Sequence, residues 1–215
     1  MKTKSKALLL TLCAVLLVAA SVLGTMAYLT SMDTVVNTFT VGNVAIKLDE
    51  AKVDVNGVAV TPAARVEENS YKLMPGHTYT KDPTVTVLED SEASYIKMTV
   101  TFSKASALDA IFAPTGADLT SIFNGYDSAN WIYKGNTKDA ATGTRTYEFW
   151  YKEAVGASTA DVALDALFDS ITVPGTITNE QLETIEGMTI TVNAYAIQAD
   201  GFTNADAAWA AFDAQ

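Results

Sequence analysis

One cysteine, Cys13, and one histidine, His77, are all that the 215-residue chain has of either. Cys13 lies in an apolar leader, so the chain beyond it carries no disulfide framework and no cysteine for a zinc site. A zinc protease of the HExxH kind needs two histidines one helical turn apart and a glutamate as general base. A single histidine cannot supply it. A Ser/His/Asp arrangement would have to use His77, and no Gly-x-Ser-x-Gly elbow surrounds any serine. Glycines are scattered singly, which excludes a phosphate-cradling loop, and no Asp-x-Asp-x-Asp-Gly calcium loop is present. No catalytic residue, cofactor or specific metal site is expected, although loop-bound calcium stays open for so acidic a chain.

Basic residues are also scarce, 14 against 25 acidic ones. Lys2, Lys4 and Lys6 precede the apolar leader. Its removal leaves 11 basic and 25 acidic residues, a net charge of −14. Nucleic acid is excluded as a partner, because binding it depends on Lys and Arg neutralising phosphates. Anionic lipid is excluded on the same ground. Hydrophobic residues make up 49% of the chain, enough for a core and too many for a disordered acidic tail.

No uncharged apolar run reaches the length of about 20 residues that a membrane span needs. The run that exists, Ala7 to Leu23, follows a basic start and ends in the small residues around Gly24-Thr25-Met26-Ala27. That is the plan of a secretory signal peptide, residues 1–27, with Thr25 and Ala27 at the −3 and −1 positions and the cut between Ala27 and Tyr28. A retained signal anchor is the alternative; in either case the membrane is met only through this segment.

From Val35 onward the hydrophobic period is mostly two, which predicts strands. Val44, Ile46 and Leu48 alternate with Ala45, Lys47 and Asp49. Val53 and Val55 face Val58 and Val60 across Asn56-Gly57, a hairpin signal. Val85 and Val87 form a stripe, as do Ile96, Met98, Val100 and Phe102, with Lys97 on the wet side. Tyr147, Phe149 and Tyr151 form another, and Met188, Ile190 and Val192 the last. With Trp131, Tyr133 and Trp150 these aromatics read as core or, alternatively, as a carbohydrate platform. Helical spacing appears in short pieces at Leu108/Ile111/Phe112, Leu119/Ile122/Phe123 and Leu164/Leu167/Phe168. Thr178 and Gln181 form a capping box before Leu182 and Ile185, with Gly187 as the stop. The tail NADAAWAAFDAQ is a last helix turning Trp209 and Phe212 inward. Residues 113–144 read as loop, Pro75-Gly76 as a type II turn, and His77 as an exposed turn residue. The expected fold is all-β: one jelly-roll-like antiparallel β-sandwich over residues 28–215, with short helical inserts, behind an N-terminal signal helix.

The segment GTMAYLTSMDTVVNTFTVGNVAIKLDE resembles the start of the TasA/camelysin family of exported Gram-positive proteins. The resemblance is carried by Gly24, Thr25, Ala27, Tyr28, Asn37, Phe39, Thr40 and Gly42. It departs at Leu29, where the family commonly has an aromatic residue, and at Ser31-Met32, where it is often more acidic. The block LMPGHTYTKDPTVTV, with Pro75 and Gly76, is similar to a family turn and strand, and the segment from Ser170 to Phe202 with the AAWAAF tail resembles members from clostridia-like bacteria. The resemblance implies cleavage by a SipW-like signal peptidase, a jelly-roll fold and assembly into biofilm-matrix fibres. Some relatives are classed as metallopeptidases, an activity whose ligands this chain lacks. The freed start, Tyr28 to Thr38, with Tyr28, Val35 and Val36 as apolar anchors, would act as a donor strand completing the sheet of another copy or a related matrix subunit. A loose terminus or a self-complementing first strand is the alternative. An exported monomeric domain that binds a glycan or protein is the alternative function.

Overall fold

The computed structural model describes residues 6, 11–18, 42–112 and 119–214. Residues 1–41 and 42–215 form separate compact units. Of the first unit, residues 11–18 are helical and exposed, and among the described residues no helix is long and apolar enough to cross a membrane. The cleavage residues Ala27 and Tyr28, the donor-strand residues Val35 and Val36, and the motif residues Gly24, Thr25, Asn37, Phe39 and Thr40 lie outside the described residues.

Residues 42–215 are mostly antiparallel β-structure. The strands are β1 (Ile46–Ala51), β2 (Arg65–Val66), β3 (Thr78–Thr80), β4 (Thr84–Val87) and β5 (Ser94–Phe102), then β6 (Trp131–Asp139), β7 (Thr144–Tyr151), β8 (Val162–Ala163), β9 (Ser170–Thr172) and β10 (Ile190–Gln198). The helices are α1 (Ala105–Phe112), α2 (Asn179–Thr184) and α3 (Ala205–Phe212). One sheet has the order β2-β1-β4-β8, a second β10-β5-β7-β6, and β3 pairs with β9 as a ribbon.

The alternation explains how the two larger sheets meet. Val85 and Val87 of β4 and Ile96, Met98, Val100 and Phe102 of β5 are all buried in one cluster. Tyr147 and Phe149 of β7 join them, so the sheets share a core and the stripe is structural. Phe123 sits at its centre, within 4.7 to 5.9 Å of the rings of Phe168, Tyr147, Phe149 and Phe102. Each such side chain contributes roughly 1.5–3 kcal/mol when taken fully out of water. A second cluster of Tyr79, Val173, Ile177 and Ile185 packs under the β3–β9 ribbon.

Several expectations are corrected. Leu119/Ile122/Phe123 forms one turn rather than a helix, its carbonyl at Leu119 accepting from the amides of Ile122 and Phe123. The next residue, Asn124, bridges to Ser170 and draws the chain into extended pairing. Leu164/Leu167/Phe168 is not helical either. The Leu164 and Leu167 amides donate to the carbonyls of Val85 and Pro83, so tertiary backbone pairing overrides the spacing. All six side chains are nevertheless buried. The stretch 113–144, read as loop, holds β6, a nine-residue edge strand whose register shifts between Tyr133 and Gly135. Past Tyr133 the strand has no apolar side chain, which hid the period.

The Asn56-Gly57 hairpin exists, but its register differs. Val53 bridges Ala59, and the loop has three residues, with the Gly57 amide donating to the Asp54 carbonyl at 2.9 Å. The Asp54 carboxylate accepts from the Asn56 and Val58 amides at 2.9 and 3.0 Å, which selects this longer turn. The Val58 amide hydrogen bond, joined by those of Asn56, holds its pKa below the usual value against the opposing effect of burial. Val55 and Val58 are consequently exposed. Gly57 has φ +77°, and a Cβ there would stand 2.7 Å from Tyr79 Cα.

The Pro75-Gly76 turn is present as expected, with His77 N donating to the Met74 carbonyl at 3.3 Å and Gly76 at φ +72°. His77, expected to be exposed, is half-buried, because its Nε2 reaches the Asn56 carbonyl at 2.7 Å and its ring rests on Tyr79. The capping box at Thr178 and Gln181 opens α2 as read, and Gly187 follows it at φ +67°.

Lys97, expected on the wet side of β5, is buried beneath α3. Its Nζ lies 4.7 Å from the Trp209 ring centre and 5.0 Å from that of Phe212, and pairs with Asp213 Oδ1 at 2.9 Å. The amphipathic tail thus covers the outer face of the second sheet. Trp209 is buried there against Trp150.

Candidate functional site

The two larger sheets part along one side, between β1–β2 and β10, and leave a cleft of about 1170 Å³. Its apolar floor is Leu48, Met188, Ile190 and Val192, the same inward stripe legible in the sequence. One wall is the strap of residues 67–73; another is α2. Glu67, Glu68, Glu183 and Glu186 are exposed along the rim and make it acidic.

β10 borders this cleft and is the edge of its sheet: it pairs with β5, from Ile190↔Phe102 to Gln198↔Ser94. Among the described residues no strand pairs with its other side. The direction of each backbone group follows from period two. Thr189 accepts from the Ser103 amide, and the Ala199 amide donates to Ala93, so odd-numbered residues face β5. Ile190, Val192, Ala194 and Ala196 therefore turn their N–H and C=O groups to the free edge, while their side chains pack toward the core. Such an edge is a template for another strand.

The base of the cleft holds charge that alternation along β1 would not ordinarily bury. Leu48 faces inward, and two residues on Glu50 does the same. Its carboxylate meets Lys81 Nζ at 2.5 Å, with both side chains 8% exposed. Asn69 Nδ2 donates to the other carboxylate oxygen at 2.9 Å. The Tyr71 hydroxyl, which donates to the Thr80 carbonyl at 3.2 Å, has its pKa raised by burial first and by the charge on Glu50 second. On the opposite face of β1, Asp49 receives Arg65 Nε, and Lys47 Nζ at 2.8 Å. Burial alone would raise the Asp49 pKa, but the hydrogen bonds and charges of Lys47 and Arg65 take it below the usual carboxylate range. Arg65 also reaches Asp82 at 2.9 Å, tying β2 to the start of β4.

Among the described residues no group of three His, Cys, Asp or Glu is placed to hold a metal ion. Of the motif residues that are described, Gly42 is exposed, and Pro75-Gly76 forms the turn that stacks on Gly175. Neither lines the cleft. The residues that do the most there, Glu50, Asn69 and Lys81, escaped the sequence reading. Their signal was parity: Glu50 shares the side of Leu48, and Lys81 that of buried Tyr79.

The sequence matches no protein-family model, and no curated protein matches it.

Proposed function

We propose that this chain is an exported, non-catalytic subunit of extracellular matrix or surface fibres, TasA-like in kind, which assembles by strand addition once its leader is removed. One observation carries the reading: among the described residues β10 offers an unshared nine-residue edge beside an apolar-floored cleft. After a SipW-like signal peptidase cuts between Ala27 and Tyr28, residues 28–38 of one copy pair with β10 of the next. Backbone groups bond to Ile190, Val192, Ala194 and Ala196, and alternate side chains, with Tyr28 and Val36 as anchors, enter the cleft, while Val35 packs on the opposite face. The arm carries one charged side chain, Asp33, so it suits an apolar floor. Donation from copy to copy does not close on itself and so yields filaments. The jelly-roll assignment belongs to the same reading, and the passage of the chain between sheets from β4 to β5 and from β7 to β8 supports it.

The test compares residues 28–215 with residues 39–215 by sedimentation and electron microscopy. Fibres are expected from the longer form alone. Equal polymerisation of the shorter form, or a longer form that stays monomeric at high concentration, overturns the reading. The acidic rim of Glu67, Glu68, Glu183 and Glu186 favours a second reading, an exported monomeric domain that binds a basic protein segment in the same cleft. A monomer that captures such a segment in a salt-dependent way would establish it.

A further inference from the structure

The group at the base of the cleft has the composition of an amide-forming site. Glu50, 6% exposed, holds Lys81 Nζ at 2.5 Å on one carboxylate oxygen and Asn69 Nδ2 at 2.9 Å on the other. An amine and a carboxamide are thus bracketed by one carboxyl group that can take a proton from the first and give one to the second. Asn69 is oriented for attack, because its Oδ1 accepts from the Val53 amide at 3.0 Å. That donor polarises the carbonyl and stands where negative charge would gather on the oxygen. The Ala51 carbonyl accepts from Nδ2 at 2.9 Å and steers the amino group toward Glu50. Lys81 is fixed at its backbone, its amide donating to the Asp169 carbonyl at 3.0 Å. Lys81 also lines a small apolar cavity with Tyr71, Leu73, Tyr79 and Ile171.

We propose that Lys81 and Asn69 become joined by an intramolecular amide bond, with Glu50 as the proton carrier. Glu50 takes a proton from the Lys81 ammonium. The neutral Nζ attacks Asn69 Cγ, and electrons move to Oδ1 beside the Val53 amide. Nζ loses a second proton, Nδ2 gains one, and collapse of the tetrahedral adduct breaks the Cγ–Nδ2 bond. Ammonia leaves through the open cleft and carries the remaining proton as ammonium, which returns Glu50 to its carboxylate. One C–N bond forms and one breaks, so no oxidant, reductant or activating co-reactant is needed. The product ties the strap of residues 67–73 to the chain just after β3, independently of any polymerisation.

The test is the mass of the purified exported chain, read after denaturation. The mature protein is expected to weigh about 17 Da less than its sequence, the mass of one ammonia. Trypsin should yield one branched species, Val66–Lys72 joined to Leu73–Lys97, because Lys81 is no longer a cleavage site. E50Q, N69A and K81R, each checked for folding by circular dichroism, should show full mass and linear peptides. A full-mass wild-type chain overturns the proposal. So does a succinimide at Asn69-Ser70, which loses the same mass but leaves Leu73–Lys81 as a free peptide. A cross-link that survives in E50Q overturns the role given to Glu50. The wild-type peptide map decides the main point whatever the variants do.

Discussion

Proline placed at two adjacent positions of β10 separates the use of its edge from the integrity of its sheet. The amide of Val192 points to the free edge, whereas that of Asn193 points to β5, opposite Thr99. Proline lacks the donor and is tolerated in a strand only where that donor was not bonded within the sheet. V192P should therefore leave the fold intact apart from the trimmed side chain. Val192 is half-buried, so about 1 kcal/mol is expected from that loss, and V192A supplies the reference. N193P removes a ladder bond and orphans its acceptor, a loss of roughly 1–3 kcal/mol in urea unfolding. For assembly the order reverses. At 192 an incoming strand meets no donor, and its own carbonyl is left unpaired, again roughly 1–3 kcal/mol. Each 1.4 kcal/mol or so is a factor of about ten in an equilibrium constant. V192P should thus raise the critical concentration for fibres roughly ten- to a hundredfold above V192A, as measured by sedimentation. Equal critical concentrations for V192P and V192A would show that β10 is not the edge in use.

Two further outcomes follow from buried polar groups. The Tyr147 hydroxyl is buried with no partner among the described residues, and burial, the main cause, pushes its pKa to about 12. Y147F should therefore be neutral or stabilise the fold by up to roughly 1 kcal/mol in thermal or urea unfolding, and a clear loss of stability would reveal a hydrogen-bond partner. Asp109 is held below the usual aspartate range: burial opposes this, but the Arg145 hydrogen bond, the Lys138 hydrogen bond and their charges outweigh it. A depressed carboxylate adds stability that is present above its unfolded pKa, near 3.8, and disappears as pH falls through its folded value. Urea midpoints should accordingly drop as pH is lowered through about 4. The drop should be shallower in D109N, and identical slopes would remove Asp109 from that acid limb.

Period two in β4, β5, β7 and β10 was readable because each of these strands turns its apolar residues to the core and mostly polar ones to the other face, so side-chain type reports direction almost residue by residue. The capping box before α2 and the turn at Pro75-Gly76 were readable for a similar reason: their hydrogen bonds close within a few residues. The local pattern failed where a distant segment supplied the partner. Leu164, Leu167 and Phe168 have helical spacing, yet the carbonyls of Val85 and Pro83 claim the backbone there. Lys97 alternates as a wet residue, yet a helix more than a hundred positions later lays Trp209 and Phe212 over it. Charge and strand content belong to the sequence itself, since each depends on composition or on neighbours along the chain. Only the tertiary structure could open a cleft between β1 and β10, leave one edge of β10 unshared among the described residues, and bring Asn69 and Lys81 onto the Glu50 carboxyl group, because those are relations between segments that no local rule encodes.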